Sequence, residues 1–176
     1  WEATQAERHD YVDGEVFAMA GAEDRHVTVT GNVYMALRQH LRGTPCRTFM
    51  ADMKLQAEAN SSYFYPDVLV TCSAADAESR QLKREPTLIV EVLSPGTEAY
   101  DRGEKFRRYR QIASLREYAL VDIDRRQVDV FRQQPDGLWT LHPFAPSEGL
   151  ALASVDLVID DATLFAEVPE ETPPAA

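Results

Sequence analysis

The chain has no run of about 18 apolar residues, so no segment is long enough to cross a bilayer as a helix. No charged-then-apolar stretch of the signal-peptide kind stands at its start; it opens on Trp1 without methionine, and a few natural residues are expected to precede it. Cysteine is nearly absent: only Cys46 and Cys72 occur, both in strand-like, apolar surroundings. Two buried free thiols are expected, a Cys-based zinc site is not, and a reducing, cytoplasmic location fits. Basic side chains are scarce, 18 Lys and Arg against 29 Asp and Glu, for a net charge of −11. That balance argues against a protein that coats nucleic acid through charge alone. With 176 residues, 44% of them hydrophobic, the chain can bury one real core.

The acids are unevenly placed. From Glu148 onward there are seven and no Lys or Arg, leaving 22 acids against 18 bases in the rest. Within that rest, RGEKFRRYR (102–110) packs five basic side chains into nine positions. Such a run is either a solvated helix face or a local phosphate-facing patch.

Patterning predicts alternating strands and helices. Asp13-Gly14 marks a hairpin turn inside YVDGEVFAM. Asp24 is placed to cap a helix with Val27, Thr30, Tyr34, Leu37 and Leu41 along one side, ended by Gly43 and Pro45. CRTFMADMKLQAE, YFYPDVLVTC and TLIVEVLS each read as a strand, followed by a helix from Glu98 or Asp101 to Ala113. EYALVDIDRRQVDVFRQQPDGLWTLHPFA reads as three strands turning at Asp124-Arg125 and Asp136-Gly137. LALASVDLVI reads as a last strand, DATLFAEV as a closing helical turn, and residues 169–176 as a disordered acidic, proline-rich tail. The expected architecture is α/β (α+β), a single domain over residues 8–168 with a central mixed sheet flanked by helices.

Within TLIVEVLS, Leu88, Val90 and Val92 share one face; Ile89, Glu91 and Leu93 share the other. Both faces are apolar except at Glu91, the mark of a strand covered on both sides. In YFYPDVLVTC, Val68 and Val70 share one face, Asp67 and Leu69 the other. If these strands are neighbours, Asp67 and Glu91 meet across the sheet. Two close carboxylates repel unless a proton or cation lies between them, and a hard divalent ion takes one or two carboxylates plus water and phosphate oxygens. Asp67 and Glu91 are therefore candidate ligands of Mg²⁺, with Mn²⁺ as a substitute.

Pro66-Asp67, followed 24 residues later by Glu91 inside an apolar strand, resembles the PD-(D/E)XK nuclease superfamily. The wider strings YVDGEVFAMAGAEDRH, YPDVLVTC and LIVEVLSPGTEAYDRGEKFRRYRQIASLREYALVD resemble the Uma-two family of restriction endonucleases. The resemblance implies a restriction-endonuclease-like fold and a Mg²⁺-dependent endodeoxyribonuclease. The superfamily lysine, two residues after the strand acid, is replaced here by Leu93. The resemblance implies that Lys105, on the next helix, takes its place beside Asp67 and Glu91. Glu15 and His26 match family positions that would complete the site, and Ser94 matches a strand-end serine. Asp101 either caps the helix through an Asp101–Glu104 box or orients Lys105. Lys54, Arg107 and Arg108 are candidates for phosphate contact. Cutting both strands of DNA calls for two sites, hence an expected homodimer. The competing reading is a degenerate nuclease fold that binds nucleic acid or protein without cleaving. A structural Ca²⁺ site is disfavoured, since neither acid lies in a Gly-rich, Asp/Asn-spaced loop.

Overall fold

The computed structural model describes residues 1–19, 21–58 and 61–169. Of the expected tail, residues 170–176 lie outside the described residues.

The first hairpin forms as predicted. Strands β1 (His9–Val12) and β2 (Glu15–Ala18) pair antiparallel around Asp13 and Gly14, both at positive φ. That is the conformation a two-residue turn with the right twist requires. Helix α1 (Asp24–His40) follows; its cap is Glu23, and Asp24 is its first residue. Its inward face is Val29, Thr30, Val33 and Leu37, with Leu41 just beyond, whereas the predicted Val27 is 54% exposed.

Two predicted strands are each broken in two. CRTFMADMKLQAE becomes β3 (Arg47–Met50) and β4 (Lys54–Glu58), which lie in different sheets. The break falls at Ala51, whose φ of 50° takes the chain out of extended geometry. YFYPDVLVTC becomes β5 (Ser62–Phe64) and β6 (Val68–Thr71), separated by Tyr65-Pro66-Asp67. Between β6 and the next long strand lie α2 (Ala74–Glu78) and the short β7 (Leu82–Lys83), neither foreseen.

Strand β8 (Pro86–Val92) is the expected central strand. A helical stretch follows, made of α3 (Glu98–Tyr100), a π-turn (Asp101–Lys105) and α4 (Phe106–Tyr109). Then come β9 (Glu117–Asp122), β10 (Gln127–Gln133) and β11 (Trp139–Phe144), with the predicted turns. LALASVDLVI is not one strand but a hairpin, β12 (Leu150–Leu152) and β13 (Leu157–Ile159), which α5 (Asp161–Leu164) follows.

The strands form a six-stranded sheet, β11-β10-β9-β8-β6-β3, a five-stranded one, β2-β1-β5-β4-β7, and the β12-β13 pair. The large sheet is mixed: β8 runs parallel to β9 and antiparallel to β6. Alternation along β8 divides the core. Leu88, Val90 and Val92 pack with Val29, Val33 and Leu37 of α1, while Ile89 and Leu93 pack with Leu55, Phe64, Tyr109 and Leu120. Glu91 is thus sent into the layer between the two large sheets.

Cys46 and Cys72 are not free thiols; they form a disulfide. The antiparallel register that pairs Arg47 with Thr71 places the next two residues opposite each other at the end of the ladder. The inference of a reducing compartment from free thiols therefore falls away. Among the described residues, no helix is long and apolar enough to cross a membrane.

Candidate active site

Glu91 is 2% exposed, and what it pairs with is now visible. Its Oε1 accepts from Lys105 Nζ at 3.2 Å and from Tyr109 OH at 3.0 Å. Its Oε2 accepts from the Asp67 backbone N–H at 3.3 Å, while Asp67 Oδ2 accepts from Val92 N–H at 2.8 Å. The reciprocal bonds follow from the β6–β8 register, Val68 opposite Val90, which puts Asp67 beside the end of the partner strand. The meeting of the two acids across the sheet is what alternation predicts.

Two cationic groups close on these acids. His26, in the first turn of α1, holds Nε2 3.2 Å from Asp67 Oδ2. Burial alone would lower the histidine pKa. The hydrogen bond and charge of Asp67, with a backbone bond at Val92, outweigh it and raise the pKa. Lys105 reaches Glu91 and also Asp101 Oδ1 at 3.0 Å. The π-turn carries Asp101 and Lys105 inward together; such turns recur at functional sites. Asp101 lies inside the helical stretch, so the capping-box reading gives way to a contact with Lys105. Burial opposes the ammonium, but Glu91, Asp101 and Asp10 outweigh it and hold Lys105 above its ordinary value. Burial pushes Glu91 well up, against the pull of Lys105.

Asp10, on β1, was not singled out from the sequence. It is buried, its Oδ1 accepts from Tyr65 N–H at 3.3 Å, and burial, only partly offset by Lys105, raises its pKa to about 6. The signal existed: Asp10 and Val12 share the inward face of β1, so Asp10 is a lone acid on a core face, as Glu91 is. Tyr109 was also missed as a site residue, although it lies one turn after Lys105 on the same helical face.

A raised carboxyl pKa stabilises the fold below the ordinary value near 4 and loses that contribution as pH climbs through the folded value near 6. Asp10→Asn, which mimics the protonated form, should therefore be more stable than wild type at pH 7.5 by roughly 2 to 3 kcal/mol. The gain should vanish near pH 4. Urea unfolding in EDTA at both pH values checks this, and an equal difference at both would show that Asp10 does not titrate as described.

The other predicted residues divide. Ser94 Oγ bonds Thr97 Oγ1 at 3.0 Å and its carbonyl accepts from Thr97 and Glu98, so it shapes the turn into α3. Glu15 is exposed on β2, and no hydrogen bond or ion pair among the described residues ties it to the cluster. Lys54 sits at the start of β4, Nζ 5.8 Å from the Tyr65 ring centre. Arg107 pairs with Glu104 at 2.7 Å on the surface. Arg108 points inward, to Asp13, to Glu58 at 2.7 Å, to Glu104 at 2.8 Å and to Ser62. Arg102 pairs with Glu98 and Asp129. The run 102–110 is therefore neither a solvated face nor an open patch; most of its cations are matched to acids elsewhere in the fold.

The sequence matches the Uma2 family, described as "Putative restriction endonuclease", over residues 1–163. The chain belongs to the Uma2 family. Two proteins of Synechocystis sp. (strain ATCC 27184 / PCC 6803 / Kazusa) are similar to it: "Uncharacterized protein slr1290", 39% identical over 89% of this chain and 83% of that one, and "Uncharacterized protein sll1609", 32% identical over 80% of each. The fold resembles a crystal structure described as "a putative nuclease belonging to DUF820" from Anabaena variabilis ATCC 29413. The TM-score is 0.75 at 15% identity, covering 92% of this chain and 91% of that one. The expected α/β (α+β) class with a central mixed sheet is thus shown for this Uma2 chain, which shares the fold of that solved structure.

No group of three or more His, Cys, Asp or Glu side chains among the described residues could by itself hold a metal ion. Mg²⁺ does not need one, since it keeps several waters and uses one or two carboxylates. The cluster joins four carboxyl groups (Asp10, Asp67, Glu91, Asp101) to two cationic side chains (His26, Lys105). Two negative charges remain when all are ionised, and Asp10 and Glu91 respond by holding protons more tightly. Asp67 and Glu91 are the oxygen donors a hard dication would use here, in place of bonds they now accept from His26, Lys105 and Tyr109.

Proposed function

We propose that this Uma2 protein is a metal-dependent endonuclease that hydrolyses phosphodiester bonds of DNA. The observation that carries the reading is the convergence of Asp67, Glu91, Lys105 and His26 at the end of the central strand. Asp67 and Glu91 would hold the divalent ion, Mg²⁺ or Mn²⁺, which when bound supplies an activated water and neutralises phosphate charge. Lys105, fixed by Glu91 and Asp101, keeps an ammonium aimed at the same place, where it orients water or a phosphate oxygen. His26, whose pKa Asp67 raises, bonds Asp67 through Nε2, and an incoming phosphate oxygen would take over that bond. Asp10 stores negative charge behind Lys105 and keeps it protonated. Lys54 and Arg107 are left for the approach of DNA; Arg108 is not, and Glu15, an exposed acid on β2, is no phosphate contact. A homodimer that presents one site to each strand, and a cytoplasmic location alongside a DNA substrate, belong to the same proposal.

Calorimetric titration with Mn²⁺ and cleavage of supercoiled plasmid test it together. Wild type should bind the ion and nick or linearise DNA; Asp67→Asn and Glu91→Gln should each lose most of both. Variants that bind Mn²⁺ as wild type does would move the metal elsewhere. A wild type that binds DNA but never cuts it would favour the binding-module reading, to which the missing strand lysine at Leu93 lends support.

A further inference from the structure

Tyr100 closes α3, immediately before the π-turn that carries Asp101 and Lys105. Its ring packs against the inner core, yet its hydroxyl is buried without a hydrogen-bond partner among the described residues. A buried hydroxyl left unpaired is costly, so an orphan in a native fold calls for an explanation. Carboxylates whose charge reaches it, Asp10 and Asp101, do not accept from it. Asp10 Oδ1 serves the Tyr65 N–H and Asp101 Oδ1 serves Lys105, while Lys105 Nζ lies 5.9 Å from the Tyr100 ring centre. On the outer side, the exposed Phe17 of β2 leans on the Tyr100 ring, centroids 6.3 Å apart. Tyr100 thus bridges the charged cluster and an open, aromatic edge.

We propose that Tyr100 is a substrate-contacting residue whose hydroxyl donates to a non-bridging oxygen of the phosphodiester that Lys105 faces. The proposal rests on the nuclease reading. The cluster already carries more carboxyl groups than cations, so a neutral donor can grip a phosphate oxygen without altering the charge balance that holds Lys105. Burial first, then the charge of Asp10, pushes the phenol up to about 12, and at neutral pH the group keeps the proton it must donate. A phosphate oxygen is the acceptor missing from the free protein, and the bond forms only when substrate arrives. Donors placed this way act on the transition state at no reorganisation cost.

The test compares wild type, Tyr100→Phe and Lys105→Ala as full chains with Mg²⁺, using thymidine 3′,5′-bisphosphate as the binding probe and plasmid DNA for cleavage. Tyr100→Phe removes one oxygen and keeps the ring, so it should melt no lower than wild type. Its affinity for the probe should fall about tenfold, and single-turnover cleavage about a hundredfold. With ¹³C-labelled tyrosine, the Cζ resonance absent from Tyr100→Phe should shift when wild type is saturated with the probe. If wild type binds and cuts while Tyr100→Phe matches it and the resonance stays put, water serves the hydroxyl and the Tyr100 proposal is overturned with the nuclease reading intact. If wild type neither binds the probe nor cuts DNA, both fall together.

Discussion

Lys105→Ala should abolish Mg²⁺-dependent cleavage, by about a thousandfold or more, and should also destabilise the protein. A flexible lysine reaching in from solvent would have left the fold nearly unchanged, as expected from its place in a basic cluster. This one is 9% exposed, with Glu91 and Asp101 in contact and Asp10 near. Removing one member of a buried ionic group leaves uncompensated charge and costs about 3 kcal/mol. The loss should depend on pH in a definite direction. Because the folded protein holds the ammonium above its ordinary value, the lysine contributes throughout the neutral range. In the variant, Asp10 and Glu91 can take up protons as pH falls, so the deficit should shrink between pH 7.5 and 5. Urea unfolding in EDTA reads the stability, and plasmid nicking reads the chemistry. A variant that still cuts near the wild-type rate would remove Lys105 from the reaction, whatever its stability. The double variant Leu93→Lys/Lys105→Ala sharpens the case. Leu93 follows Glu91 on the same strand face and is buried against Tyr109 and Leu120, so Leu93→Lys alone crowds an apolar layer and costs stability. In the Lys105→Ala background it returns an ammonium to the neighbourhood of Glu91 and should recover part of the cleavage.

How much of this could be read beforehand follows from the range over which each signal acts. Alternation is local and strict, so it assigned Ile89, Glu91 and Leu93 to one side of β8 and brought Asp67 to the same side, as the two core layers show. The same rule applied to β1 would have disclosed Asp10. Alternation does not report a change of sheet: nothing in CRTFMADMKLQAE announces that Ala51 turns through positive φ and hands the chain from the large sheet to the smaller one. On α1 the three-and-four spacing through Val27 was about an eighth of a turn off, because Val29 and Val33 extend the stripe the other way. The Cys46–Cys72 disulfide depends on a register between strands about 25 residues apart, which apolar flanks do not encode. The run 102–110 misled for a related reason: its acidic partners Asp13, Glu58 and Asp129 come from three distant strands or turns.

That last difference gives Arg107 and Arg108, adjacent and chemically identical, opposite expected behaviour. Arg108 is 5% exposed and its guanidinium is enclosed by Asp13, Glu58, Glu104 and Ser62. It ties α4 to the β1–β2 turn and to β4, so the fold and not DNA depends on it. Arg108→Ala should cost about 3 kcal/mol, near the lower end for a broken buried pair because the Asp13 carboxylate still reaches water. For a chain of this length that corresponds to a melting point lower by roughly 10 °C. Arg108→Glu adds a fourth acid where three already meet and should leave little folded protein at 37 °C. Arg107 is half exposed and, among the described residues, pairs with Glu104 alone, so Arg107→Glu should leave the melting point almost unchanged. If DNA passes that surface, Arg107→Glu should weaken binding across all sequences and reduce the slope of log K against log salt by about one. Circular dichroism melts and fluorescence anisotropy at several salt concentrations separate the two. Equal melting points for Arg107→Glu and Arg108→Ala would mean that the Arg108 network contributes nothing to the fold, and the basic stretch would again be a candidate for the face that meets phosphate.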